Sequence, residues 1–144
     1  MRKSWADYFL GIAQAVSERA TCDRLHVGCV LVETDTKVIL ATGYNGSVRG
    51  APHCDDVGHD MDHGHCVRTV HAEGNAIAQA ASRGISVAGA TAYLTARPCW
   101  PCCKLLLNSG IVRIVYAASY RDDERVTNAC MQARVDLVHH PVTP

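Results

Sequence analysis

Two short segments of the sequence combine metal-binding and acid–base side chains. The first is His71-Ala72-Glu73, and the second is Pro98-Cys99-Trp100-Pro101-Cys102. One imidazole and two thiolates, from His71, Cys99 and Cys102, make a three-ligand zinc set that leaves the fourth position for water. Zinc lowers the pKa of such a water from about 15.7 to about 7, which produces hydroxide at neutral pH. The two segments therefore predict a catalytic zinc centre.

The spacing of the cysteines decides which of them are paired in this set. Cys99 and Cys102 share one side at the start of a helix, and Pro98 suits a chain that turns into that helix. Cys103 is an alternative, because it also shares a helical face with Cys99, but we prefer the Cys-x-x-Cys pair. The other interpretation is a structural Cys-x-x-Cys with an unrelated His-Ala-Glu. The proline, both spacings and the intervening strand argue against it.

The elements that must position these residues follow from hydrophobic periodicity. Strand and helix alternate in the second half, which implies βαβ crossovers with helices covering both sheet faces. Residues 27–32 and 38–42 read as an antiparallel hairpin. The remaining predicted elements are helices over about 5–20 (with Ser4 as N-cap), 70–82, 100–109 and 122–132, and strands over 91–95, 111–117 and 135–138.

Composition limits the class of protein. The chain has 144 residues, 48% apolar and 19% charged, which is typical of one soluble globular domain. Fourteen basic residues balance 14 acidic ones, so no global positive field exists to hold a polynucleotide. A local cluster for a small phosphorylated partner is still open, from Arg19, Arg24, Arg49, Arg68 and Arg97. We predict no signal peptide, no membrane span, a cytoplasmic location and reduced cysteines. Cys29 and Cys130 read as buried thiols.

The His-x-Glu and Pro-Cys-x-x-Cys pattern is the signature of zinc-dependent base deaminases, and the chain resembles the deoxycytidylate (dCMP) deaminases. It is similar to the bacterial and phage members, including the late-competence deaminases, over about residues 5–137. The specific pieces are Arg19-Ala20-Thr21-Cys22-Asp23-Arg24, Val27-Gly28-Cys29, Gly43-Tyr44-Asn45-Gly46-Ser47, Pro52-His53-Cys54, residues 65–73, Asn75-Ala76-Ile77, Gly89-Ala90-Thr91 and Gly110-Ile111.

The resemblance implies an α/β fold of three layers, α/β/α, with a five-stranded mixed sheet in one domain, 1–144. It also implies hydrolysis of dCMP to dUMP and ammonia, feeding thymidylate synthesis. Glu73 is then the proton shuttle, which takes a proton from water, protonates the ring nitrogen and later protonates departing ammonia. Spacing alone does not place it there, because residues two apart on a helix are rotated by about 200°.

Related families fit less well. Cytidine deaminases have Cys where this chain has His71, and transfer-RNA adenosine deaminases usually have Met where this chain has Pro101. Riboflavin-pathway deaminases separate their two Cys ligands more widely.

A second metal site is expected in the long loop at about 47–70. The loop offers Cys54, His59, His63, His65 and Cys66, and Cys22 could approach from the first helix. The alternative is a solvated polar loop, but a closed four-ligand zinc would supply the order that such a loop lacks. Relatives with this loop often carry a structural zinc, many with Cys at the position of His59. We predict Cys22, Cys54, His59 and His65 as ligands. The fourth position is left open among His63, His65 and Cys66.

Five residues are predicted to face the substrate. In the family, the position of Asn45 contacts the sugar, although an Asn before Gly is also a common turn residue. Arg24 and Thr21 border the pocket in relatives, where a guanidinium would match a 5′-phosphate; an exposed surface arginine is the alternative. Ala72 belongs to the motif, and Tyr120 either stacks on the nucleotide or fills the core.

The expected partners are a small-molecule nucleotide, no polynucleotide and no membrane. We also expect a homo-oligomer, from dimer to hexamer, with dCTP and dTTP as candidate allosteric ligands. The competing hypotheses are a deaminase of a modified or differently phosphorylated cytosine nucleotide or a free nucleobase, and a non-catalytic zinc scaffold. The intact Glu73 favours the enzyme, because a structural zinc site needs no such carboxylate.

Overall fold

The computed structural model describes residues 1–119 and 122–142. Its helices are α1 Trp5–Ser17, α2 Cys54–Val57, α3 Ala72–Ser82, α4 Trp100–Asn108 and α5 Glu124–Ala133. Its strands are β1 Gly28–Glu33, β2 Ile39–Tyr44, β3 Gly46–Ser47, β4 Met61–Asp62, β5 His65–Cys66, β6 Thr69–Val70, β7 Ala90–Ala96, β8 Arg113–Ala118 and β9 Asp136–His139. Among the described residues, we find no helix that combines the length and the apolar character needed to cross a bilayer.

The central sheet has five strands in the order β2-β1-β7-β8-β9. β1 pairs antiparallel with both β2 and β7, whereas β7, β8 and β9 run parallel to one another. The prediction of a five-stranded mixed sheet is therefore confirmed. The parallel half requires crossovers, and α4 and α5 are these crossovers.

Helices cover both faces of the sheet, but not in the way that the crossovers suggest. Helices α3, α4 and α5 all pack on one face, around buried residues such as Leu31, Leu94 and Ile114. The other face carries Val30 and Val32 and is covered by α1. Alternate residues of a strand point to opposite faces, so β1 contributes to both layers. Successive crossovers in one direction place their helices on one face, so the second face is left to α1.

The helix ends follow from short-range signals. The Ser4 side chain accepts a hydrogen bond from the Asp7 N–H (3.1 Å), which makes Ser4 the N-cap of α1, as predicted. α1 ends at Ser17, three residues earlier than expected, and α3 begins at Ala72 rather than near residue 70. Gly84 follows α3 with φ +66°, a conformation that glycine adopts readily.

The long loop is closed at its base and contains short elements. β3 pairs with β6, joining Ser47 to Thr69. β4 and β5 form a hairpin whose two central residues, His63 and Gly64, both have positive φ, as a type I′ turn requires. β6 then leads directly into α3, so the loop delivers the chain to His71.

Gly43 sets the distance between β2 and α3. A Cβ at this position would overlap backbone atoms of Ala72 and Ala76. The absent side chain allows the first turn of α3 to lie directly against the strand, and this contact fixes the depth of the residues on that turn.

Candidate functional site

The first turns of α3 and α4 converge at the carboxyl end of β7. His71 and Cys99 are the N-cap residues of these two helices and have extended backbone geometry, with no capping bond from either side chain. Their side chains are therefore available for other contacts. The His71 Nδ1 atom lies 3.5 Å from the Cys99 Sγ and 3.3 Å from the Cys102 Sγ.

The three donor atoms of this cluster suit a metal ion. The ligand atoms of His71, Cys99 and Cys102 all lie within 4.8 Å of one another. The hydrogen bond with Cys102 lowers the pKa of Cys99 to about 4, and the start of a helix also favours a thiolate. Two thiolates and an imidazole form a zinc donor set. Cys103 points elsewhere: it is fully buried, and its Sγ lies 3.9 Å from the Sγ of buried Cys130.

Glu73 lies in the first turn of α3 beside this cluster. It is only 4% exposed, and its burial raises the pKa of the carboxyl group. Among the described residues, the mutually close donor atoms come from His71, Cys99 and Cys102 without Glu73. A buried carboxyl group next to a metal set, but outside it, is suited to moving protons.

These residues form the floor of an open pocket of about 780 Å³. One side, here called the loop wall, consists of Arg24, Leu25, His65, Cys66 and Val67. Another, here called the α5 wall, consists of Arg97, Trp100, Asp123 and Arg125. Apolar side chains and arginines thus surround the floor, together with His65, Cys66 and Asp123.

Asn45 lines the pocket and holds the start of β1 in place. Its Oδ1 accepts a hydrogen bond from the Val27 N–H (2.8 Å), and its Nδ2 donates to the Leu25 carbonyl (2.7 Å). Asn45 does not adopt positive φ, so the left-handed turn that Asn-Gly suggested is not its role here. A carboxamide has one further acceptor and one further donor position, which leaves capacity for a ligand.

The other predicted substrate residues are placed unequally. Ala72 is fully buried and lines the pocket. Arg24 is exposed and also lines it; within the described part of the chain, its guanidinium has only long contacts, to Met61 Sδ (3.7 Å) and the Gly64 carbonyl (3.5 Å). Thr21 is not part of the pocket lining: its N–H donates to the Asn45 carbonyl, and its own carbonyl accepts from Asp55. Tyr120 lies outside the described residues.

A second cluster of donor atoms lies in the loop. The ligand atoms of Cys22, Cys54, His59 and Cys66 lie within 4.8 Å of one another. Cys22 Sγ is 3.4 Å from His59 Nδ1, and Cys54 Sγ is 3.5 Å from Cys66 Sγ. The structure brings together three of the four predicted residues.

Of the three candidates for the fourth position, the structure places Cys66 at the cluster instead of the preferred His65. Neighbouring residues on a strand point to opposite sides, so on β5 only one of the two can face the cluster. The side chain of His65 is exposed and lines the pocket instead. His63, at the turn, pairs with Asp62 (2.6 Å).

The surroundings of this cluster suit a metal as well. His59 Nε2 lies 2.9 Å from the Asp23 carboxylate, and a carboxylate on the far nitrogen orients a metal-binding histidine. Loss of hydration opposes ionisation of Cys66, but hydrogen bonds at the backbone of Arg68 and Asp60 outweigh it and lower the pKa of this thiol to about 6. The donor set is complete for a closed tetrahedral ion.

A three-layer α/β/α domain with a His-Cys-Cys donor set and a buried glutamate defines a class of zinc-binding deaminases. The family model described as the cytidine and deoxycytidylate deaminase zinc-binding region matches residues 3–118. The chain belongs to this family.

Named relatives support the assignment. ComE operon protein 2 of Bacillus subtilis is 43% identical over 136 residues, which cover 94% of this chain and 71% of the relative. The deoxycytidylate deaminase of Mycobacterium phage D29 is 39% identical over 127 residues, covering 80% of this chain and 95% of that protein. The dCMP deaminase of cyanophage S-TIM5, solved with dCMP and dUMP, superposes with a TM-score of 0.82 at 25% identity, covering 97% of this chain and 99% of that one. The resemblance inferred from the motifs and the α/β fold class are confirmed.

Two pocket residues, Trp100 and Arg125, were not among those predicted to face the substrate. Trp100 stands inside the Cys-x-x-Cys motif, so its position next to the metal ligands could have been foreseen. Arg125 could not, because its place depends on how the start of α5 packs beside α4.

Proposed function

We propose that this chain, as a single deaminase domain, hydrolyses dCMP to dUMP and ammonia and so supplies thymidylate synthesis. The observation that carries the proposal is the buried Glu73 carboxyl, which lies outside the His71, Cys99 and Cys102 set but in the same pocket. Relatives named deoxycytidylate deaminase, and the phage enzyme solved with dCMP and dUMP, support the choice of substrate.

The chemistry follows from the residues on the floor of the pocket. Zinc held by His71, Cys99 and Cys102 would supply a Lewis acid that makes hydroxide available near neutral pH. Glu73 accepts one proton of the attacking water and delivers it to the ring nitrogen. It then takes the second proton, from the hydroxyl that this water has become on the ring carbon, and passes it to the amino group, which leaves as ammonia. Its burial suits this cycle, because a raised pKa allows the carboxyl group both to take and to release the proton.

Recognition of the nucleotide is divided between Asn45 and Arg24. Asn45 uses one donor and one acceptor to hold the backbone of Leu25 and Val27, and its remaining positions bind the sugar hydroxyl. Arg24 brings a positive charge to the loop wall and pairs with the phosphate. Thr21 supports this segment from behind through its backbone bonds to Asn45 and Asp55, a positioning role in place of the direct contact expected from the sequence.

Steady-state ammonia release tests the substrate assignment. The panel compares dCMP, deoxycytidine, CMP, dCTP, a 5-substituted dCMP and cytosine. Charge-assisted hydrogen bonds contribute about 1.5–3 kcal/mol each, so we expect kcat/KM for dCMP to exceed that for deoxycytidine by at least about a hundredfold. Equal values would overturn the nucleotide assignment and leave the deaminase; no turnover of any member would indicate a zinc scaffold.

We also propose that the loop cluster of Cys22, Cys54, His59 and Cys66 holds a second, structural zinc. Purified protein should then contain two zinc ions per chain. Cys54→Ser should lose one of them and lower the melting temperature, while deamination persists at temperatures where the variant is folded. Metal analysis and thermal melts of the same samples measure both effects.

Cys130→Ala is the matched control for this experiment, because Cys130 is a buried thiol outside both clusters. It should retain both zinc ions whatever its melting temperature. One zinc in well-folded, active wild-type protein would rule out the second site.

Assembly and location complete the proposal. The exposed apolar side chains Trp5 and Tyr8 lie side by side on α1 and support self-association of the chain into a homo-oligomer. Light scattering with and without dCTP or dTTP tests both the assembly and the response to these two candidate effectors. The proposed location is the cytoplasm, where nucleotides are used and thiols stay reduced.

A further inference from the structure

The α5 wall of the pocket carries polar groups that the proposed chemistry does not use. Asp123 is the N-cap of α5, Arg125 lies in its first turn, and Trp100 begins α4. All three line the same pocket as Glu73 and the metal ligands. They therefore lie where a substrate would meet them.

The guanidinium of Arg125 is held in one orientation. Its Nε lies 3.0 Å from one Asp123 carboxylate oxygen, and its Nη2 lies 2.7 Å from the other. Its Cζ lies 5.6 Å from the centre of the Trp100 ring, against which the planar group packs. An exposed arginine normally loses much rotational freedom when it binds a ligand, but this side chain is already ordered although it is 64% exposed.

One edge of this guanidinium remains open to a ligand. The Nη1 amino group donates no hydrogen bond to residues 1–119 or 122–142, whereas Nε and Nη2 are directed at Asp123. The geometry of an arginine with one edge on a carboxylate leaves a second edge that fits two oxygens of a phosphate.

A buried arginine, Arg97, holds the start of α5 in place through hydrogen bonds. Arg97 is 8% exposed and donates from Nη2 to Thr127 Oγ1 (2.7 Å) and to the Asp123 carbonyl (3.3 Å). Its Nη1 donates to the Tyr116 hydroxyl (3.2 Å). These bonds tie the start of α5 to the ends of β7 and β8, immediately before Cys99.

The buried position of the Arg97 guanidinium is energetically unfavourable. Its Nε has no hydrogen-bond partner within the described parts of the chain, and the nearest carboxylate oxygen, on Asp122, is 3.7 Å away. Burying a charged group with an unpaired donor is unfavourable. The arrangement is explained if Arg97 serves to place the α5 wall.

We propose that Arg125 is a specificity-determining residue that binds the phosphate of the nucleotide substrate, and that Arg97 is the residue that positions it. The inference rests on the proposed function, since it needs a phosphorylated substrate. Arg24 and Arg125 then contribute differently. Arg24 is loosely held and brings net positive charge, whereas Asp123 neutralises Arg125, which brings directed N–H donors.

Comparison of dCMP with deoxycytidine in four variants tests the role of Arg125. Arg125→Ala should lower kcat/KM for dCMP at least about tenfold, the loss of one charge-assisted contact, and leave deoxycytidine nearly unchanged. Arg125→Lys should recover only part of the lost kcat/KM for dCMP, because one ammonium group cannot contact Asp123 and a phosphate in the way that a planar guanidinium does. Asp123→Asn keeps a capping side chain but frees the guanidinium, so KM for dCMP should rise while kcat is kept.

Arg83→Ala is the matched control, because it removes the same charge from an exposed position outside the pocket. It should change kcat/KM for neither dCMP nor deoxycytidine. Equal losses on dCMP and deoxycytidine in Arg125→Ala, or no loss on either, would overturn the inference. If the wild type turned over dCMP and only this pattern failed, the proposed function would stand without it.

A binding measurement tests the role of Arg125 without any need for turnover. Trp5 and Trp100 are the two tryptophans, so Trp5→Phe leaves Trp100, against Arg125, as the fluorescence reporter. Inorganic phosphate and dCMP should each change this signal, and adding Arg125→Ala should abolish the response to phosphate. A response that survives Arg125→Ala would contradict the assignment even if no substrate were turned over.

Arg97→Lys tests the positioning role. The lysine keeps the buried charge, but its single nitrogen cannot occupy both the Nη1 position, which bonds Tyr116, and the Nη2 position, which bonds Thr127 and the Asp123 carbonyl. We expect unchanged zinc content, a raised KM for dCMP, and kcat and deoxycytidine turnover close to wild type. Equal loss on both substrates would show that Arg97 supports the metal floor and not the α5 wall.

Discussion

Glu73→Ala is expected to fold and to bind zinc like the wild type, yet to lose turnover by about a thousandfold or more. The metal donors stay in place, because Glu73 lies outside the His71, Cys99 and Cys102 set. The proton path disappears, and a positioned acid–base group contributes about 10²–10⁴-fold to each step that it assists. Ammonia release, metal content and circular dichroism on one preparation give the three quantities.

Glu73→Gln sharpens this test, because it keeps the size of the side chain and removes only the titratable group. It should be as inactive as Glu73→Ala. Glu18→Ala, which removes an exposed carboxylate at the end of α1, should be fully active. If Glu73→Ala loses zinc in a folded protein, the residue is a ligand and the assigned role is wrong.

Arg24→Ala should remove most of the preference for dCMP over deoxycytidine. One charge-assisted contact of about 1.5–3 kcal/mol corresponds to roughly ten- to a hundredfold in kcat/KM, lost for dCMP and nearly absent for deoxycytidine. Because Arg24 is exposed and has only long contacts to residues 1–119 and 122–142, the wild-type preference should also decline with added salt. The measurement is kcat/KM for both substrates at two ionic strengths.

Arg19→Ala serves as the control, since Arg19 is exposed and does not line the pocket. It should leave the preference intact. From the sequence, Arg19 or Arg49 would be tested next if the preference survived Arg24→Ala. The structure changes that order: Arg97 and Arg125 line the pocket and neither Arg19 nor Arg49 does.

Much of the fold was predictable, because local patterns specify it. The period of apolar residues identified the sheet strands and long helices to within a few residues, and the His-x-Glu and Pro-Cys-x-x-Cys spacing identified the residues that the structure brings together. Each of these motifs is local, because its own residues lie within a few positions of one another in the chain. The place of α1 was not evident, since which face a helix covers depends on the direction of the crossovers.

The site residues that the sequence did not place correctly are those whose position depends on strand register or on a contact between distant parts of the chain. His65 and Cys66 are neighbours, and the pairing of β4 with β5 determines which of them faces the other ligands. Thr21 was predicted at the substrate, but its backbone is used to join Asn45 to α2. No sequence pattern indicated that Arg125 lines the pocket, because the contact between its guanidinium and Trp100 joins two helices, α4 and α5, that are separated in the chain by β8.

The pairing of β3 with β6 has a topological consequence. Since Ser47 and Thr69 are already partners, the chain leaves the core and returns to it at nearly the same place. The intervening residues are thus an insertion whose ends are joined, and lengthening or shortening such a segment changes closure entropy only slowly. The helix that follows His71 packs against Gly43, which lies outside this insertion. We therefore expect this core to tolerate changes in the length of the insertion, which would alter the loop wall and leave the residues on the pocket floor in place.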